Sequence, residues 1–269
     1  MKKATKRQKM SHKSKNKLPK KIDTPIEIYG VSISGTRRSE VLKKMWLQRK
    51  EMLHVATVNP EYVMEARRNP VFSNMLAQCL CVADGHGIVW ASKILKHKFS
   101  NSQIERISGT ELVVEILERA HRHDESVFLL GAAPGVAEAA AQAMVKRYPG
   151  LRVSWYEGAK SVVVEKNEEA SMTIAKINGI SPDYLLVAYG SPSQDLWIEE
   201  NRPYLRVRVA MGVGGALDEW AGIVKLCPAW IDAIGFKWMW RIMHEPWRLK
   251  RVLRVFHFGL LVLYHKLID

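Results

Sequence analysis

From residue 26 onward, short apolar runs alternate with longer stretches of helical spacing, and this alternation limits the fold more than any other feature. "LHVATVN" (53–59), "LCVAD" (80–84), "SVFLLG" (126–131), "LRVSWYEG" (151–158), "DYLLVAYG" (183–190) and "VRVAMGV" (207–213) read as strands, and so does "IEIYGVSI" (26–33). Between them lie "RRSEVLKKMWLQRK", "PEYVMEARRNPVFSNMLAQ", "GIVWASKIL", "GTELVVEILERAHRH", "PGVAEAAAQAMVKRY", "NEEASMTIAKINGI" and "SPSQDLWIEENRPYL", which read as helices. Thr110 is a candidate N-cap for the fourth of these, and Pro134 a candidate opening residue for the fifth. Most of the strand runs are apolar without alternation, the pattern of strands buried on both faces. The expectation is an α/β fold with a mainly parallel sheet and helices on both faces.

Such a sheet binds ligands beyond the carboxyl ends of its strands, so the strand-to-helix turns are where chemistry is to be sought. The turns carry Thr57 and Asn59, then Asp84, then "GAAPG" from Gly131, then "GSPSQD" with Gln194, then "GVGGALD" with Asp218. Asp84, between an apolar strand and Gly85, has three local readings: a helix cap, a metal ligand or a general base. "LLGAAPGVAEAA" is either a phosphate-binding turn or simply a tight one; it is neither G-x-G-x-x-G nor a P-loop. No D-x-D and no G-x-S-x-G occurs, which removes the signatures of a metal-dependent nucleotide-sugar site and of an α/β-hydrolase. His86 lacks companions at ligand spacing.

After about residue 228 strand alternation stops and the chain becomes helical, aromatic and basic. Arg241, Arg248 and Arg251 recur at offsets that return to nearly one helix face, with Pro246 splitting the segment. They are either a solvated basic face or a clamp for a diphosphate or lipid headgroup. The net charge of +14 suggests an anionic partner, yet ten Lys/Arg and no acid fall in residues 1–21. That leader lacks an apolar core, so it is no secretory signal, and it is expected to be disordered. The organisation read from the sequence is therefore a basic tail (1–24), a sheet domain (25–227) and a helical appendage (228–269). Nucleic-acid binding through the tail is the alternative function, although no recognition motif supports it and no nucleic acid is expected as a partner. Cys79, Cys81 and Cys227 form no disulfide framework; the first two are expected in the core of a cytosolic protein. No apolar run reaches membrane-spanning length.

"TVNPEYVMEAR", "ADGHGIVWASK", "ERISGTEL", "FLLGAAPGVAEAAA", "PDYLLVAYGSPSQDLWI", "GVGGALDEWAG" and "FKWMWRIMHEPWRLKR" together resemble, in order, the blocks of the WecG/TagA/CpsF glycosyltransferases. The resemblance covers roughly residues 27–254. It implies a Rossmann-like sheet domain with a C-terminal helical appendage. It also implies inverting, metal-independent transfer of an N-acetylmannosamine-type sugar from a UDP donor to a polyprenyl-diphosphate-linked sugar, without a cofactor, in cell-envelope polysaccharide synthesis. By the same resemblance Asp84 is the catalytic base and Thr57 acts beside it. Asn59, Arg106, Gly131, Gln194 and Asp218 hold the donor, and Arg241, Arg248 and Arg251 of the appendage close over the diphosphate. The implied setting is peripheral, on the cytoplasmic face of a bacterial membrane with an anionic surface, and a homo-oligomer is compatible with it.

Overall fold

The structure is a computed structural model that describes residues 25–48, 50–95, 104–158, 167–225, 227–228, 230–231, 237–244 and 249–268. The first run, read as a single strand, is a hairpin: β1 (Ile26–Ile28) pairs antiparallel with β2 (Val31–Ile33). Tyr29 and Gly30 between them both adopt positive φ, 50° and 84°, the backbone of a two-residue turn whose twist suits a hairpin. After α1 (Arg38–Leu47) come β3 (Leu53–Val58), α2 (Pro60–Ala66), α3 (Pro70–Leu76), β4 (Leu80–Ala83) and α4 (His86–Ile94). Each of α2 and α3 opens on Asn-Pro. The side chains of Asn59 and Asn69 accept backbone N–H bonds from the first turn, and the proline supplies its preset φ.

The order continues with α5 (Gly109–His123), β5 (Ser126–Gly131), α6 (Val136–Arg147), β6 (Arg152–Tyr156), α7 (Asn167–Ile180), β7 (Tyr184–Ala188), α8 (Ser193–Asn201), β8 (Val209–Gly212) and α9 (Ala216–Trp220). Two helix starts differ from the sequence expectation. The N-cap of α5 is Ser108 and not Thr110, whose hydroxyl lies 3.0 Å from that of Ser108 inside the first turn. Helix α6 opens at Val136 and not Pro134, because Gly135 takes a left-handed conformation at its N-cap.

Six strands form one parallel sheet in the order β4-β3-β8-β7-β5-β6. Side chains alternate between its faces as the pleat demands. Val55, Leu80, Val82, Val127, Leu129, Leu186 and Met211 pack on one face with α5 and α6. Phe128, Leu130, Leu185, Val187 and Ala210 point the other way, against Trp197 and Ile198 of α8. Ala56, Val58, Cys81 and Ala83 on that same side meet α2, α3 and the hairpin. The α/β, mainly parallel architecture is thus as expected. At the amino ends of the strands, Arg208 ties Glu125 (2.9 Å) to Asp183 (3.3 Å), which closes that edge of the sheet.

The appendage contributes α10 (Lys237–His244) and α11 (Leu249–Ile268). Phe258 and Val262 of α11 are buried in the cluster formed with α2 and α4. His265 Nδ1 meets the Tyr29 hydroxyl at 3.2 Å, and Arg254 reaches Glu65 at 3.9 Å. Among the described residues no helix is long and apolar enough to cross a membrane. The basic tail, residues 1–24, and Arg248 lie outside the described residues, and so do the side chains of Arg241 and Arg251.

Candidate active site

Parallel strands all end at one edge, and there the turns enclose a cleft of about 430 Å³. Thr57, Asn59, Asp84, Gln194 and Asp218 line it together with Tyr62, Ala132, Ala133, Tyr189, Ser191 and the Gly212–Gly215 turn. Residues 57 and 218 are far apart in the chain, and both follow strands that end at this edge. Five of the seven residues that the sequence placed at a catalytic or donor site within the sheet domain therefore share one cavity. Gly131 and Arg106 are not among the lining residues. Gly131 ends β5 just behind Ala132, at φ 91°; a Cβ there would press on the Tyr189 ring at 2.8 Å. The Arg106 guanidinium bonds Glu111 at 2.5 Å, and Glu111 also pairs with Arg38. The segment before α5 follows the edge of β4, where Ile107 N bonds Ala83 O at 2.8 Å.

The backbone places Asp84 one residue before the cap position of the following helix. The N-cap of α4 is Gly85, at φ 84°. The Asp84 backbone N–H extends the β3–β4 ladder by bonding Val58 O at 2.8 Å, which fixes the residue at the strand end facing the cleft. His86 starts α4, and its ring packs against Trp90 one turn on, with centroids 5.9 Å apart. In the "GAAPG" turn, Ala132 and Ala133 face the cleft, while the Gly135 N–H is occupied by the Glu157 carboxylate at 2.8 Å.

Two residues with expected donor roles hold the protein's own backbone as well. Asn59 Oδ1 accepts from Glu61 N (2.9 Å) and Tyr62 N (3.1 Å), which commits its oxygen to the start of α2. The buried Gln194 accepts from Gly214 N (3.0 Å) through Oε1 and donates to the Tyr62 hydroxyl (3.3 Å) through Nε2. Its side chain lies over Gly212, where any Cβ would collide with it: the built position is 2.7 Å from Gln194 Cδ and 2.8 Å from Cγ.

Below the cleft is a polar cluster that the sequence reading did not anticipate. Tyr62 donates to Asp195 Oδ2 at 2.5 Å. Asp195 Oδ1 lies 3.3 Å from His54 Nε2, and both side chains are fully buried. His54 Nδ1 lies 3.1 Å from Glu199 Oε2 and 3.2 Å from Cys79 Sγ. Burial alone would lower the His54 pKa. Its bonds to Asp195, Cys79 and Glu199 outweigh that and raise it well above the usual histidine value. Burial opposes ionisation of Glu199 too, yet His54 and Arg202 hold its pKa down to about 2. Burial and the adjacent Asp195 push the Tyr62 hydroxyl well up. His54, Cys79 and Glu199 offer three atoms within 4.8 Å of one another, a spacing that could hold a metal ion. Arg202 bonds both Glu199 oxygens, at 2.7 and 3.0 Å, so this carboxylate already has a cationic partner. The available signal was His54 itself: an imidazole inside an apolar strand must find partners. Cys79 and Cys81 are free and buried, as expected of core cysteines.

A parallel α/β sheet with a polar, carboxylate-bearing cleft at the carboxyl ends of its strands defines a small-molecule enzyme of the open α/β class. The model of the family "Glycosyl transferase WecG/TagA/CpsF family" matches residues 26–269, and the chain belongs to that family; it is a glycosyltransferase. It is similar to the N-acetylglucosaminyldiphosphoundecaprenol N-acetyl-beta-D-mannosaminyltransferases of Staphylococcus aureus strains MRSA252 and MW2. Each is 32% identical over 232 residues, 84% of this chain and 87% of the relative.

Proposed function

We propose that the cleft transfers an N-acetylmannosamine-type sugar, or its uronic acid, from a UDP donor to a polyprenyl-diphosphate-linked sugar. The transfer inverts the anomeric centre and uses no metal ion. The observation that carries this reading is the convergence of Thr57, Asn59, Asp84, Gln194 and Asp218 on one cleft, in a chain similar to transferases whose name specifies the diphosphoundecaprenol-linked acceptor. Asp84 takes the proton from the acceptor hydroxyl as its oxygen bonds to the anomeric carbon. The bond from that carbon to the UDP oxygen breaks, and its electron pair leaves on the diphosphate. A single displacement of this kind inverts. Guanidinium groups neutralise the leaving charge: Arg241, Arg248 and Arg251 from the appendage, and Arg106 by exchanging the Glu111 carboxylate for phosphate. Thr57 and Asn59 face the donor sugar, Gln194 and Asp218 the rest of the donor.

The acceptor's lipid places the reaction at a membrane surface. Helix α11 seats one face on α2 and α4 and leaves Phe256, Leu260, Leu263, Tyr264 and Leu267 exposed on another. That apolar face and the basic tail suit the anionic, cytoplasmic surface of the membrane. The test is a donor screen with a short-chain lipid-diphosphate-sugar acceptor, run with and without chelator and read by UDP release and product mass. Asp84→Asn is expected to lower transfer at least about a hundredfold while UDP still binds. Undiminished turnover in Asp84→Asn refutes the base, loss of activity in chelator refutes metal independence, and a retained anomer refutes the single displacement.

A further inference from the structure

The hydrogen bonds beneath the cleft assign most of the cluster's hydrogens. The Gly214 N–H can only donate, so Gln194 must turn its oxygen toward it and its NH2 toward Tyr62. An NH2 can only donate, so the Tyr62 oxygen accepts. The Ser191 side chain also hydrogen-bonds Tyr62, and it donates, because the one Tyr62 hydrogen is directed to Asp195. Tyr62 gives that hydrogen to Asp195 Oδ2, 2.5 Å away. On the far side Arg202 keeps Glu199 ionised, so His54 Nδ1 must carry a hydrogen. His54 Nε2 faces Asp195 Oδ1, a carboxylate with no solvent exposure. One hydrogen lies between these two atoms, and Asp195 already accepts the Tyr62 hydrogen while His54 Nδ1 already faces an ionised Glu199, a setting in which a shared hydrogen held on Nε2 pairs a cation with two buried carboxylates.

We infer that His54 is a positioning residue: doubly protonated and buried, it holds Asp195 ionised and so fixes the direction of the chain His54–Asp195–Tyr62–Ser191/Gln194 that ends at the cleft. With the Ser191 hydroxyl hydrogen directed inward to Tyr62, its lone pairs face the ligand and accept from a sugar hydroxyl. Gln194 is held so that the Gly212–Gly215 turn keeps its shape. This assignment of the ligand rests on the sugar-transfer reading; the charge state of His54 does not. The groups facing His54 are Asp195 and Glu199 from α8 and Cys79 ahead of β4, with Tyr62 of α2 and Arg202 behind them. The raised His54 pKa agrees with the geometry.

The test uses the full chain in four forms: wild type, His54→Gln, Tyr62→Phe and the double variant. In 15N-histidine NMR of the wild type, both His54 nitrogens are expected to remain protonated well above the pH near 6.5 at which an ordinary histidine loses its second proton. His54→Gln is expected to speed hydrogen exchange of the Gly214 amide by about tenfold while leaving that of Leu129 in β5 unchanged. It is also expected to lower kcat/KM for the sugar donor without raising KM for the acceptor. Both effects vanish when the Tyr62 hydroxyl is already absent, because His54 acts through it. A neutral His54 at pH 7 overturns the inference. So does a His54→Gln effect of equal size with and without the Tyr62 hydroxyl, which marks a merely structural role. If His54→Gln does not fold, the wild-type spectrum and Tyr62→Phe, which removes one oxygen, still decide. If the wild type transfers no sugar at all, the sugar-transfer reading fails, and the charge state and Gly214 exchange settle the positioning role.

Discussion

Replacing Gly212 by alanine perturbs the cleft through a single methyl group. The new Cβ would lie 2.7 Å from Gln194 Cδ and 2.8 Å from Cγ, well inside van der Waals contact. The backbone of β8 cannot retreat, since it is bonded to β3 on one side and β7 on the other. Gln194 must swing away, and in doing so it loses the Gly214 N–H and the Tyr62 hydroxyl. Overpacking costs about 1–3 kcal/mol, and leaving a buried amide unpaired costs a similar amount. Partial relaxation brings the sum to about 3 kcal/mol, which lowers the melting midpoint by roughly 6–12 °C for a domain of this size. Scanning calorimetry measures the midpoint, and titration with UDP measures the cleft. The decisive comparison is Gly212→Ala made in a Gln194→Ala background. There the clash partner is gone and the added cost should fall below about 0.5 kcal/mol. Equal costs in the two backgrounds would show that the methyl acts on something other than Gln194, and the account of the cleft floor would be wrong.

The two faces of α11 should respond oppositely to mutation. Leu260→Glu, at an exposed position, is expected to reduce pelleting with anionic vesicles and leave the melting midpoint unchanged, whereas Phe258→Ala should cost about 3 kcal/mol of stability. Equal vesicle binding by Leu260→Glu would remove that face from the membrane contact. Asp84→Asn should lower transfer by about 10²–10⁴-fold, the usual worth of a general base, with UDP affinity changed less than about threefold. The acid limb of stability should depend on Glu199. Its folded pKa of about 2 lies below the ordinary 4.5, so its contribution is present above pH 4.5 and lost as pH falls toward 2. His54, raised, contributes in the opposite sense: fully below its ordinary value, and lost only as pH rises through its folded pKa. Glu199→Gln should flatten denaturation profiles between about pH 4.5 and 2; an unchanged acid limb would contradict the ion pair.

The elements legible in the sequence were those whose burial is continuous. An apolar run with no alternation has two covered faces, and β3, β4, β5, β7 and β8 carry that pattern. The hairpin β1–β2 was hidden because its turn has only two residues, and Tyr29 at positive φ has no local signature beyond the glycine that follows. The cleft could be assembled from strand ends without knowing the strand order, since every parallel strand ends at the same edge. The cluster below it could not. His54, Tyr62 and Asp195 meet only because β3 and α8 face one another across the sheet, and that pairing depends on the order β3-β8-β7. Arg106 illustrates the converse: a motif placed it at the donor, while the side chain itself turned to Glu111.

The hydrogen bonds already made by the cleft's carboxamides limit what they can offer a ligand. Both lone pairs of Asn59 Oδ1 are taken by the N–H groups of Glu61 and Tyr62, so its side chain can only donate. Gln194 has one N–H committed to Tyr62 and its oxygen committed to Gly214, which leaves its second N–H as the readier group. Two donors placed near the strand ends suit oxygen-rich, electron-rich groups such as phosphate or sugar oxygens. The acceptors that a sugar's own hydroxyls require must come from elsewhere in the lining, and Asp84, Asp218 and Ser191 are placed to supply them. The division has a test in substitution. Asn59→Asp keeps the oxygen that caps α2 and replaces the donor by an acceptor, so it should leave the fold intact and weaken binding of the UDP-sugar donor by about tenfold, the worth of about one hydrogen bond, with UDP alone less affected. If Asn59→Asp binds the UDP-sugar donor as tightly as the wild type, Asn59 serves α2 alone and the donor site is built without it.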